Sequence, residues 1–232
     1  MARIAAILAV IIAATIALTT PVHATDLVCD STADYYLGRE DYADAITAHQ
    51  RVLAANPGDA LAHYHLGFAY GMTGQRRAEL SEYRKAAALG LRQWDFELNF
   101  GRAELESGDP AAAASAFQQA IALAPRRPEG YYNLGLADEC RGMLQQALEA
   151  LTASLALDPN QPDARNMLGV VYAEQGDYAH AREVWTRLAQ TSPDFAPARE
   201  NLAALEHMAA APKAPGGHDR FQFRTAMAGE VR

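Results

Sequence analysis

The sequence predicts an all-α solenoid of helix-turn-helix repeats closed by a C-terminal capping helix, and three series of residues predict it. Gly67, Gly101, Gly135 and Gly169 stand 34 residues apart. Gly74, Gly108, Gly142 and Gly176 keep the same spacing, and so do Pro57, Pro125, Pro159 and Pro193, with Leu91 at the one beat that lacks a proline. A period of this length marks stacked supersecondary units, each burying its apolar face against the next. The composition agrees. Half of the 232 residues are hydrophobic, enough for a packed interior. Ala, Leu, Glu, Gln and Arg dominate, and all favour helix.

The first 24 residues have a different chemistry. Arg3 is followed by an apolar run from Ile4 to Leu18, broken only by Thr15, and then by the polar stretch from Thr19 to Ala24. Charged start, apolar middle and small-residue end are the order of a secretory signal peptide. The apolar run is shorter than the roughly 20 residues needed to span a bilayer. Cleavage is expected after Ala24, with Val22 and Ala24 as the small residues. Asp26-Leu27-Val28 before Cys29 does not fit a lipid-attachment motif.

With the recurring proline at the thirty-second position, the repeats fall at 26–59, 60–93, 94–127, 128–161 and 162–195. Each reads as two helices. The first carries an apolar stripe with the i, i+3, i+4, i+7 spacing of one helical face, such as His63, Leu66, Gly67 and Tyr70. The second carries a matching stripe, such as Ala113, Phe117, Ala120 and Ile121. Small residues on both helices predict a close approach, with a bulky residue filling the gap beside them. The second glycine series ends the first helix, since glycine adopts the left-handed conformation readily. Asp109 and Asp177 follow it, where they can cap the next helix. The prolines stop the second helix. Residues 196–211 read as a capping helix that shields the last interface, and 212–232, rich in Pro, Gly and mixed charge, as a disordered tail.

Two repeats depart from the pattern. The first has Glu40 for the turn glycine and His49 for the bulky filler. The second has Glu79 where a small residue belongs, and Leu91 for the proline, with Gly90 beside it. An unpaired buried carboxylate is costly, so Glu79 is expected to tilt outward rather than lie buried beside Arg76.

The net charge of −8 argues against nucleic acid and against anionic lipid, both of which require basic surfaces. Catalytic signatures are missing: there is no H-E-x-x-H, no G-x-S-x-G and no phosphate-binding glycine loop. No enzyme activity, cofactor or metal is expected. His63 and His65, two apart on a helix, point to different faces and do not make a metal pair. His63 should join the helix packing and His65 the groove side. Cys29 and Cys140 lie about three repeats apart, beyond the reach of a disulfide, and are expected to be free thiols.

Segments such as YYNLGLADECRGMLQQALEALTASLALDPN and NMLGVVYAEQGDYAHAREVWTRLAQTSP resemble the tetratricopeptide repeat. The resemblance covers about residues 26–195. It implies a right-handed superhelix whose first helices line a concave groove for a protein or peptide. The groove residues it implies are Tyr64, Phe68, Leu98, Asn99, Arg102, Tyr132, Asn133, Leu136, Asn166 and Val170. An exposed aromatic and aliphatic row is more than solubility requires. Asn99 and Asn133 are placed to bond an extended backbone. The basic clamp that some family members use for a C-terminal carboxylate is missing, since Arg102 is the one groove cation. Asp95, Glu129 and Asp163 form an acidic lip instead. The expected role is an exported scaffold, periplasmic if the source is bacterial, assisting envelope-complex assembly such as a pilus or secretion system. The alternative is a small-ligand-binding accessory of an exported enzyme system. A closed pocket would favour the alternative and an open apolar groove the scaffold.

Overall fold

The computed structural model describes residues 30–210, with side chains to residue 207. The expected signal peptide, Cys29 and the expected tail over 212–232 lie outside the described residues. The described residues form eleven α-helices and no strand. In order these are α1 (Ser31–Gly38), α2 (Tyr42–Ala55), α3 (Ala60–Met72), α4 (Arg76–Ala88), α5 (Trp94–Glu106), α6 (Pro110–Leu123), α7 (Pro128–Cys140), α8 (Leu144–Leu157), α9 (Pro162–Glu174), α10 (Tyr178–Thr191) and α11 (Ala196–Ala210). Each helix packs on its neighbour in sequence within two compact units, which divide between Gly90 and Leu91, where the recurring proline is missing. This is an all-α repeat solenoid. None of the described helices is long and apolar enough to cross a membrane.

The first unit holds α1 to α4. Its core is Ala33, Ala45, Leu61, Ala62, Leu66, Ala69, Tyr83 and Ala86. Small residues bring the helices close, and one large side chain closes each gap. Tyr83 of α4 lies over Gly67 of α3, so tightly that a Cβ on Gly67 would sit 2.6 Å from the ring. In the first hairpin the wholly buried His49 takes the filler's place. Glu40 occupies the turn position with φ of 60°, a left-handed conformation that a non-glycine residue rarely adopts.

Glu79 does not tilt outward. It is buried, and Arg76 Nη1 donates to its Oε2 at 3.0 Å. Gly71 makes this possible: a Cβ there would lie 2.5 Å from Glu79 Oε1. The oversized residue on α4 is met by an absent side chain on α3, and the ion pair satisfies the carboxylate.

The second unit holds α5 to α11. Its fillers are Phe117 over Gly101, Leu151 over Gly135 and Trp185 over Gly169. All three are fully buried. Removing each such side chain from water contributes about 1.5–3 kcal/mol. The hairpins α5/α6, α7/α8 and α9/α10 stack so that the first helices touch one another, α5 on α7 and α7 on α9. The capping helix α11 packs on α10 and buries Ala198 and Leu205.

The turns follow the breakers. Gly74, Gly108, Gly142 and Gly176 have φ between 71° and 88°. Asp109 accepts from Ala112 N at 2.9 Å and Asp177 from His180 N at 3.2 Å, the caps that the sequence implied. Prolines open α6, α7 and α9, where a missing N–H costs nothing.

Candidate functional site

The candidate site of the second unit is the face made by its first helices α5, α7 and α9. Stacking decides which residues of these helices remain accessible. Leu136 and Val170 are 3% and 0% exposed and belong to the core of the unit. Asn166 is 1% exposed, and its side-chain oxygen accepts from Asn201 Nδ2 of α11 at 3.0 Å. Its backbone carbonyl accepts from Trp185 Nε1 at 3.2 Å. Asn166 therefore ties the capping helix to the stack. The expectation that these three present an exposed surface fails because the neighbouring helices cover them.

Leu98, Asn99, Tyr132 and Asn133 are half-buried, and Arg102 is exposed. Leu98 and Tyr132 pack on core clusters with one side. Asn133 Nδ2 donates to Glu129 O, a turn back on its own helix, at 2.8 Å. That bond uses one of its two N–H donors and leaves the other and Oδ1.

Three of these helices converge electrostatically on Tyr132. Its phenol is pushed up to about 12, first by burial and then by Asp163 of α9, while Arg102 of α5 pulls it down. Tyr132 of α7 thus lies within electrostatic range of a carboxylate on α9 and a guanidinium on α5.

Two turns further along α7, roughly 10–11 Å at 1.5 Å per residue, the same stripe ends in a second group. There Glu139 of α7 lies beside Glu174 of α9. Burial and then the Glu139 charge push the Glu174 carboxyl up to about 7. Beside them, the Cys140 thiol is pushed up to about 11 by burial and then by Glu139 and Glu174. Cys140 is a free, exposed thiol with little thiolate character at neutral pH. This face therefore carries carboxylates near Tyr132 and again at Glu139 and Glu174.

In the first unit, Tyr64 is buried, against the expectation of an exposed groove residue, with its ring 5.9 Å from that of Tyr83. Phe68 is half-buried and packs edge-on to Tyr42 at 6.4 Å. His63 is buried, with Nδ1 2.6 Å from Glu82 Oε2 and Nε2 3.1 Å from Pro57 O. The two histidines of α3 part company, as their spacing implied. His65 Nδ1 lies 2.8 Å from Asp34 Oδ1 of α1, with its ring edge-on to His49 of α2 at 5.4 Å.

Sequence profiles described as tetratricopeptide repeat match residues 31–90, 98–137 and 141–206. The chain belongs to the tetratricopeptide repeat family. Among solved structures it is similar to YrrB, described as a tetratricopeptide repeat protein with an unusual peptide-binding site. That likeness has a TM-score of 0.69 and 23% identity, over 72% of this chain and 87% of YrrB. It is similar to MamA from Desulfovibrio magneticus RS-1, with a TM-score of 0.66 and 20% identity over 74% of this chain and 97% of MamA. PilF of Pseudomonas aeruginosa gives a TM-score of 0.57 and 24% identity, over 76% of this chain and 86% of that one. No curated protein sequence matches. These likenesses show the fold. Tetratricopeptide repeat proteins bind proteins or peptides and are generally scaffolds rather than enzymes.

Sequence reasoning missed two clusters in this tetratricopeptide repeat chain. The Glu139–Glu174 pair was legible, since the two residues lie 35 apart, one more than the repeat. The grouping of Asp34, His49 and His65 had a fainter signal. It lay in His49, a polar residue at a position that packing reserves for a bulky apolar one.

Proposed function

We propose that the chain is an exported interaction scaffold whose second unit holds a protein segment against Leu98, Arg102 and Tyr132. The observation that carries this reading is the half-buried Tyr132 on the middle of three touching first helices, packed on the core with one side and within electrostatic range of Asp163 and Arg102. A phenol in that position offers area and a donor together, the properties that make tyrosine a frequent binding anchor. The fold family supports a protein or peptide as the ligand, and so does the likeness to a protein described as having a peptide-binding site. The carboxylates of Asp95, Glu129, Asp163, Glu139 and Glu174 outnumber Arg102 along these helices, which favours a basic or neutral segment. Exposed charges act over about 8 Å at physiological salt, so the preference is one of selection more than of affinity.

The signal-peptide pattern over residues 1–24 supports export, and with it a role in assembling an envelope complex such as a pilus or secretion system. A scaffold role is supported by the Cys140 thiol, which is held far from its nucleophilic state.

The test is capture of partners from the envelope fraction by the full chain, with Tyr132→Ala and Arg102→Ala as groove variants. Gln146→Ala, an exposed position on α8, is the control. Truncating one anchor should weaken binding about 30-fold, the equivalent of about 2 kcal/mol. If the folded groove variants retain every partner while Gln146→Ala loses one, binding belongs to the opposite face.

A further inference from the structure

We propose that Asp34, His49 and His65 form a site for a divalent transition-metal ion of the zinc type. The three residues come from α1, α2 and α3, and their ligand atoms all lie within 4.8 Å of one another. Asp34 Oδ1 is 2.8 Å from His65 Nδ1 and 3.5 Å from His49 Nε2. A zinc ion bound at about 2.0–2.1 Å from each ligand holds tetrahedral neighbours roughly 3.3–3.4 Å apart, so only small shifts are needed to seat one.

The deciding atom is His49 Nε2. His49 is wholly buried, yet this nitrogen has no hydrogen-bond partner. Its tautomer is set from the other side of the ring. Nδ1 lies 2.8 Å from Ala45 O, and a carbonyl can only accept, so Nδ1 carries the proton. With Nδ1 the donor, the neutral tautomer presents a lone pair at Nε2, 3.5 Å from a carboxylate oxygen that is also an acceptor. Two acceptors facing one another are satisfied by a cation seated between them. A ring N–H donated to a backbone carbonyl is also the arrangement that orients histidine ligands in metal sites.

The packing points the same way. In the other hairpins the equivalent filler is Tyr83, Phe117, Leu151 or Trp185, all buried. An apolar side chain would serve the first hairpin as well, and a histidine there is explained by a ligand. Two imidazole nitrogens and one carboxylate oxygen suit zinc, and equally copper(II) or nickel(II), better than calcium or magnesium. Three protein ligands leave a fourth position open. The Asp34 and His65 side chains are 24% and 19% exposed, so water or a donor from a bound partner can reach it. Seating the ion displaces the proton that His65 Nδ1 shares with Asp34. The ion would then join the three successive helices α1, α2 and α3 of the first unit.

The test is zinc binding by the full chain, measured by equilibrium dialysis and thermal melting, with cobalt(II) as the spectroscopic probe. The wild type should bind one more equivalent than His65→Asn and Asp34→Asn, or bind it at least 10-fold more tightly. It should show visible cobalt bands of a four-coordinate site that both variants lack. Zinc should raise the melting temperature of the wild type only. His49→Phe, which restores an apolar filler, should abolish the site while melting at or above the metal-free wild type. Because Asp34 and His65 reach solvent, their variants keep the test sharp should His49→Phe fail to fold. Equal zinc stoichiometry and affinity in wild type and His65→Asn would overturn the proposal. So would a wild type that takes no zinc and carries protons on both His49 nitrogens, which would make the cluster a buried ion pair.

Discussion

Gly135 and Leu151 give the sharpest test of the helix pairing. A Cβ on Gly135 would lie 2.7 Å from Leu151 Cγ and 2.9 Å from its Cδ2, whereas ordinary contact begins at 3.4 Å. Gly135→Ala must therefore force α7 and α8 apart, or Leu151 off its rotamer, by roughly half an ångström or more. Overpacking of this kind costs about 1–3 kcal/mol. The same substitution lowers backbone entropy in the unfolded chain and improves helix propensity, which returns about 0.5–1 kcal/mol. In the wild type the first effect wins and the variant is destabilised. Leu151→Ala alone leaves a cavity and costs about 2–5 kcal/mol. In that background the methyl added at position 135 has room, the clash is gone, and only the propensity gain remains. Gly135→Ala should then be neutral or stabilising, a reversal of sign within one double-mutant cycle.

The assay is urea unfolding followed by tryptophan fluorescence. Trp94 and Trp185 both belong to the second unit, so the signal reports the unit that carries the mutations even if the two units unfold separately. The expected coupling is about 1–3 kcal/mol, well above the roughly 0.5 kcal/mol scatter of independent sites. Additive costs in the two backgrounds would refute the argument, because they would mean that Leu151 does not lie over Gly135.

Three further outcomes follow from the second unit. The Glu174 carboxyl is raised from an ordinary value of 4.5 to about 7, so its contribution to stability is fully present below about 4.5 and is lost as pH rises through 7. The melting temperature should fall over that window, and Glu174→Gln should flatten the fall. Glu97 and Asp138 are also raised by burial and act in the same direction, so the difference between variant and wild type, not the raw profile, is the measurement. Cys140 should react with alkylating reagents far more slowly at pH 8 than a free thiol, and Glu139→Gln should speed it up; an unchanged rate would remove the carboxylate from the explanation. Asn201→Ala should lower the urea midpoint by the equivalent of about 1–3 kcal/mol, since it takes from the buried Asn166 the amide that bonds its side-chain oxygen.

What could be read in the sequence was whatever one repeat determines by itself. Gly142 needs a left-handed backbone, Asp109 needs a free N–H three residues on, and Gly135 needs to be small beneath Leu151. Each is a local requirement, repeated in register, and each is met. Accessibility is different, because it depends on what the next hairpin covers. Leu136, Asn166 and Val170 fit a groove-lining pattern by spacing, yet stacking and the capping helix bury them. Spacing can place a residue on a helix face but not say whether that face remains open. Glu79 failed for a related reason: its burial depends on Gly71, a glycine outside the three periodic series. His49 follows the same logic further. As a break in the filler series it was plain from the sequence, but its meaning rests on Asp34 and His65, which only the packing of three helices brings within reach of Nε2. In a repeat protein the periodic residues report the scaffold, and a non-periodic residue at a buried periodic position is where a site specific to this chain is to be sought. His49 is such a residue, and metal titration of its neighbours will show whether its lone pair is used.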